Sequence, residues 1–190
     1  YRFWTYICSL VLVFILLFSF PITKQRIFDQ TIKDFSSKEG NSKFYIFSKT
    51  HNDMYVTSGK MFLDNMFFGV GTRQFRNECK NYPVSEYSCS SHPHNTYIEL
   101  LSETGMFGFI IIFGLFVLII YFSIKQFIYR LFRSNIEYFN DFEVCIISAL
   151  IISLWPFSPS GSFFNNWMSV VYFFPIGILL WQVNLKTIDE

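Results

Sequence analysis

Residues 106–124 read MFGFIIIFGLFVLIIYFSI, an apolar run without a single charge. Wound as a helix at about 1.5 Å per residue, such a run crosses most of a hydrocarbon core of about 30 Å. The stretch immediately upstream, residues 92–105, reads HPHNTYIELLSETG and places two imidazoles and two carboxylates at the mouth of a membrane helix. Ionisable groups are costly to hold at a membrane edge, and their presence there points to function. The helical reading extends back through Tyr97 to Ser102, giving one long element over 96–124 with Gly105 as the residue expected to bend it.

Composition supports the membrane reading. With 26 Phe, 11 Tyr and only 15% charged residues in 190, the chain is far from a soluble domain. A net charge of +1, with aromatic residues not interleaved among Lys and Arg, excludes a nucleic-acid groove. Phe3 to Phe20 is a second uncharged run and reads as the first span; it lacks the basic start and small-residue cleavage site of a signal peptide. Because the chain opens at Tyr1 rather than Met, its beginning reads as a truncation. Residues 142–157 form a shorter apolar run, of a length that suits either a span or a re-entrant element. Residues 162–183 carry no charge and form the last expected span, with Pro175 tolerated inside it. The expected fold is therefore an all-α polytopic membrane protein with about four transmembrane helices, and the chain reads as part of one membrane domain.

Residues 21–95 form one large polar loop. Within it Met54, Met61 and Phe62 recur at helical intervals, predicting an amphipathic helix over Thr50 to Asn65 capped by Thr50 or Asn52. Phe67 to Gly71, FFGVG, predicts a tight turn or a close approach of backbone to another group. Lys125, Arg130 and Arg133 follow the central span, whereas Ser158 to Asn166 carries no basic residue. Basic loops stay on the cytoplasmic side, so the 21–95 loop is expected outside.

Cys8 and Cys145 lie in apolar runs and read as small buried hydrophobes. Cys79 and Cys89, ten positions apart in the polar loop, read as a disulfide in an oxidising compartment. Such a bridge contributes on the order of 2 to 3 kcal/mol and pins the segment leading to His92. Two free thiols, or two metal ligands beside His92 and His94, are the alternatives, and the spacing does not match the paired-cysteine zinc patterns.

Several side chains here carry chemistry. His94, ahead of Asn95 at the helix start, suits a general base, since a neutral imidazole accepts a proton near its ordinary pKa of about 6.5. The competing reading makes His94 or Asn95 a helix cap. Pro93 holds His92 extended and aims it differently. Arg73 and Arg76, after the glycine turn, suit phosphate oxygens or a solvated loop equally. Glu99 and Glu103, four apart, share a helix face from which they orient His94 or an acceptor hydroxyl, or simply meet water. His51 reads as a surface residue near a helix start.

FFGVGTRQF at 67–75, HPHNTYIELLSETGMFGF at 92–109 and GSFFNNW at 161–167 together resemble the C-terminal signature of the O-antigen ligase and polymerase superfamily of bacterial inner-membrane glycosyltransferases. The resemblance implies transfer of a glycan from an undecaprenyl diphosphate carrier to an acceptor hydroxyl at the periplasmic face. The acceptor is lipid A core in a ligase and another carrier-linked repeat in a polymerase; the chemistry it implies uses no metal and no cofactor. By this resemblance His94 matches the family histidine that serves as base or acceptor-positioning residue, and Arg73 or Arg76 the group that holds the diphosphate; His92, Asn95, Glu99 and Glu103 are further candidate substrate-binding residues on this chain. Thr72 and Arg73 stand where many relatives carry Pro or Gly, which leaves open which arginine meets phosphate. A non-catalytic transporter or scaffold is the rival class; a transporter needs polar groups near mid-span, and residues 106–122 have none with charge.

Overall fold

The computed structural model describes residues 2–25, 48–132 and 139–188. The rest of the polar loop, residues 26–47, and the expected basic residue Arg133 lie outside the described residues. All regular elements described are helical: α1 (Arg2–Ser19), α2 (Pro21–Lys24), α3 (Lys49–Asp64), α4 (Phe75–Glu78) with a 3-10 turn at Cys79–Asn81, α5 (Thr96–Phe132), α6 (Asp141–Ser153) and α7 (Asn166–Ile188). The chain divides into two compact units, residues 1–52 and residues 53–190.

In the first unit, α1 stops before Pro21, which opens the short α2 at its first turn, where a missing N–H costs nothing. Within α1, the Ser9 and Ser19 hydroxyls donate back to the Thr5 and Ile15 carbonyls, so neither is left unsatisfied in an apolar helix. α3 starts at Lys49, ahead of the expected caps; Ser48 holds this end, its hydroxyl 2.7 Å from Nδ1 of His51. His51 thus sits in the first turn, as its sequence position suggests.

α3 continues into the second unit, where it buries Met54, Thr57, Ser58 and Met61. That spacing of three, four and seven is one helical stripe. Met54, Met61, Phe75 and Cys79 form a small core beneath Val70 and Tyr82. A separate core joins α5, α6 and α7 through Leu100, Ile112, Phe116, Ile119, Ile147, Leu150 and Tyr172. Asn140 and Glu143 start α6 with a reciprocal capping box, each side chain meeting the other's backbone N–H.

The centre of this unit is a break in α5 at Gly105, where φ is 65° and ψ is −159°. An interrupted helix orphans carbonyls on one side of the gap and N–H groups on the other. The FFGVG segment fills that gap. The Val70 and Gly71 N–H groups donate to the Ser102 and Glu103 carbonyls at 3.0 and 2.9 Å. On the far side, the Met106 and Phe107 N–H groups donate to the Met66 and Phe67 carbonyls at 2.8 and 3.4 Å. Glycine is required on both strands of this contact. A side chain at Gly105 would meet the Phe67 carbonyl and stand 2.7 Å from the Phe68 nitrogen, and one at Gly69 would meet the backbone of Glu103 and Thr104.

Among the described residues, only α5 is long and apolar enough to cross a membrane. The 142–157 run yields a helix of 13 residues, about 20 Å long, because Leu154 to Asn165 leaves helical geometry to serve the site described below. Cys8 and Cys145 are exposed rather than buried; α6 turns Ile146, Ile147 and Leu150 to the core in place of Cys145.

Gly105→Ala and Gly69→Ala are each expected to lower stability by about 3 kcal/mol or more, through overpacking at positive φ. Gly59→Ala, on α3 with open space around it, should instead raise stability by about 0.5 to 1 kcal/mol. Thermal unfolding in detergent checks both, and a wild-type midpoint for Gly105→Ala would contradict the inserted-turn architecture.

Candidate functional site

The pre-break part of α5, Thr96 to Thr104, is gripped from two sides by its own carboxylates. Glu103, 1% exposed, accepts the Phe75 N–H at 2.9 Å with Oε1 and the Arg73 N–H with Oε2. Glu99, also 1% exposed, accepts the Ser162 hydroxyl at 2.6 Å and the Phe163 N–H at 2.7 Å. One turn of helix therefore fixes two loops, the one after the glycine turn and the one between α6 and α7. Carboxylates suit this task because each has two oxygens and accepts only.

Arg73 bridges the same two loops. Its backbone is tied to Glu103 while its guanidinium donates from Nε at 3.1 Å, and from a terminal nitrogen, to the Phe164 carbonyl. Arg76 is exposed, and its charge acts on His92, Glu99 and Glu103, with no guanidinium hydrogen bond of the kind that ties Arg73 to Phe164 seen among the described residues. Both guanidinium groups line a cleft of about 310 Å³ with Ser162, Asn165 and Asn166. This cleft is the cationic part of the site, and its three other lining residues, Ser162, Asn165 and Asn166, are ones to which the sequence reading assigned no role. The available signal was the uncharged yet polar stretch from Ser158 to Asn166, set between two apolar runs with no packing reason to be polar.

The imidazoles lie against the same inter-helix loop. Asn95 caps α5, its Oδ1 accepting the Tyr97 and Ile98 N–H groups at 3.0 and 3.1 Å while Nδ2 donates to the Pro156 carbonyl at 2.7 Å. The capping role belongs to Asn95 rather than to His94. His94 Nε2 lies 3.4 Å from the Ser90 hydroxyl, and its carbonyl accepts the Ser160 N–H at 3.0 Å. His92 is partly buried with its ring 4.1 Å from that of His94. Burial pushes the His92 imidazole below its ordinary range, a contact with the Ser160 carbonyl opposes this, and the charge of Arg76 adds to the lowering. Taken together these effects favour the neutral imidazole.

Two residues other than glycine adopt positive φ among the described residues: Arg73 at 60° and His94 at 58°. A left-handed conformation at a side chain of this size costs of order 1 to 3 kcal/mol and persists only where the surroundings enforce it. Glu103 enforces it at Arg73, and Ser160 helps to enforce it at His94. The Cys79–Cys89 disulfide, with Cα atoms 5.4 Å apart, closes the segment that ends at Ser90 and so tethers the approach to both histidines. No group of three or more His, Cys, Asp or Glu gathers to hold a metal among the described residues.

Among the described residues the regular elements are all helical, with His94 held at positive φ and a guanidinium-lined cleft beside the start of the apolar helix α5. Residues 1–113 match the family described as O-antigen ligase, and the chain belongs to that family. The matched stretch includes the glycine turn, both arginines, both histidines and both carboxylates, whereas the loop that completes the cleft lies beyond it. A comparison with curated proteins gave no match. Membership carries a glycosyltransferase-like activity of O-antigen ligase or polymerase type in the inner membrane, with a lipid-linked glycan and an acceptor as partners.

Glu103→Ala orphans two backbone N–H groups and should cost about 1 to 3 kcal/mol. His94→Gly relieves a strain of at least about 1 kcal/mol and is expected to unfold no earlier than wild type. Thermal melts of the two variants side by side test whether His94 is held for a purpose other than stability; a large loss at His94→Gly would mark it as structural.

Proposed function

We propose that this protein transfers a glycan from an undecaprenyl diphosphate carrier to an acceptor hydroxyl at the periplasmic face of the bacterial inner membrane, as an O-antigen ligase. The observation that carries the reading is the strained His94, held at the mouth of α5 by the same loop that walls the arginine cleft. His94 takes the proton as the acceptor oxygen attacks the anomeric carbon. The bond from that carbon to the diphosphate oxygen breaks, its electron pair leaves with the diphosphate, and the configuration inverts.

Arg76 is the diphosphate contact, because its guanidinium is uncommitted, whereas Arg73 is already engaged by the Phe164 carbonyl and braces the cleft. Asn95, Glu99 and Glu103 support substrate binding through the loops they hold. The proposed topology has α5 crossing the membrane and residues 21–95 outside, following the basic residues Lys125 and Arg130. A polymerase would use the same base and cleft with a carrier-linked acceptor, so the product formed separates the two. A transporter or scaffold requires no base at all.

In the full-length protein, His94→Ala should lower glycan transfer by about 10² to 10⁴-fold and cause lipid-linked glycan to accumulate. Full transfer by that variant would overturn the base assignment. Arg76→Lys should weaken use of the carrier substrate even though charge is kept, since an ammonium cannot reproduce bidentate contact; Arg73→Lys should act mainly on thermal stability.

A further inference from the structure

Ser160 holds the histidine pair through both of its backbone groups. Its N–H donates to the His94 carbonyl at 3.0 Å, and its carbonyl lies 3.3 Å from Nε2 of His92. A carbonyl only accepts, so Nε2 of His92 carries the proton. Nδ1 is then the acceptor, and it finds the Ser91 hydroxyl at 2.9 Å. The Ser160 carbonyl sets this tautomer, and the Ser91 hydroxyl, which can donate or accept, accommodates it. Pro93, between the histidines, is fully buried, so the segment has little freedom to rearrange around them.

Ser160 is itself anchored. Its hydroxyl accepts from Thr96 at 2.9 Å, and the Thr96 hydroxyl lies 2.9 Å from that of Tyr172, which is 1% exposed on α7. The result is a closed ring: His92 to the Ser160 carbonyl, the Ser160 N–H to the His94 backbone, and the His94 ring back against the His92 ring at 4.1 Å. Such a ring is what a left-handed histidine requires, because without external contacts the residue relaxes to the ordinary region.

We propose that His92 is a positioning residue, whose Nε2–H on the Ser160 carbonyl keeps His94 in the left-handed conformation from which its imidazole meets the acceptor hydroxyl. The inference rests on His94 acting as the base. His92 itself touches neither substrate.

The test compares His92→Phe, which keeps a ring but has no donor, with His92→Gln, whose amide nitrogen takes the place of Nε2. Both are assayed beside His94→Ala in the full-length protein with carrier-linked glycan and acceptor. His92→Phe should lower kcat by about tenfold, the effect of losing one positioning hydrogen bond, with KM for both substrates unchanged. His92→Gln should recover most of that loss. A wild-type kcat in His92→Phe overturns the proposal, as does a rise in KM alone, which would place His92 on a substrate. Equal loss in Phe and Gln variants also overturns it, because the donor would then not be what matters. Retained activity in His94→Ala would instead remove the base reading, and that outcome is distinct from an inactive His94→Ala beside a normal His92→Phe.

Discussion

The hydrogen bonds across the break at Gly105 are the constraint from which the rest of the second unit follows. A helix interrupted beside an apolar span exposes backbone groups that lipid cannot satisfy. Here residues 66–71 supply donors to Ser102 and Glu103 and acceptors to Met106 and Phe107. Because both partners are backbone, the register is fixed to the residue, and everything after Gly71 starts from a defined point. The requirement for glycine at 69 and 105 is therefore one requirement seen from two sides.

From that origin, the two carboxylates of α5 distribute order outward. Glu103 sets the loop that bears both arginines, and Glu99 sets the loop between α6 and α7. Buried carboxylates are costly to desolvate unless their lone pairs are filled. Each of these accepts two donors from a loop, so the cost of burial and the order of the loop are settled by the same contacts. Arg73 then joins the loops directly through the Phe164 carbonyl. The walls of the cleft share supports.

The left-handed conformations of Arg73 and His94 show where this support is used. Neither residue gains local stability from positive φ, and both stand at the functional end of the helix. Strain that is maintained by Glu103 on one side and Ser160 on the other is consistent with a site whose geometry takes precedence over local backbone preference. It also gives the inter-helix loop a role that its composition alone does not reveal.

Much of this was legible in the residues. The uncharged run at 106–124, the stripe of Met54 and Met61, the punctuation by Gly69, Gly71 and Gly105, and the paired Cys79 and Cys89 all follow from local periodicity, backbone freedom and compartment chemistry. The residues His94, Arg73 and Arg76 also stand out by type and position. What only the tertiary structure decided was the use of each group: Asn95 rather than His94 as the cap, Glu99 and Glu103 as supports for loops, Arg76 rather than Arg73 as the uncommitted guanidinium, and Ser160 as the clamp on both histidines. Apart from the local cap by Asn95, those contacts join residues about 30 to 90 positions apart, and most of the partners are backbone N–H and C=O groups, which every residue carries alike. A side-chain alphabet has no letter for them.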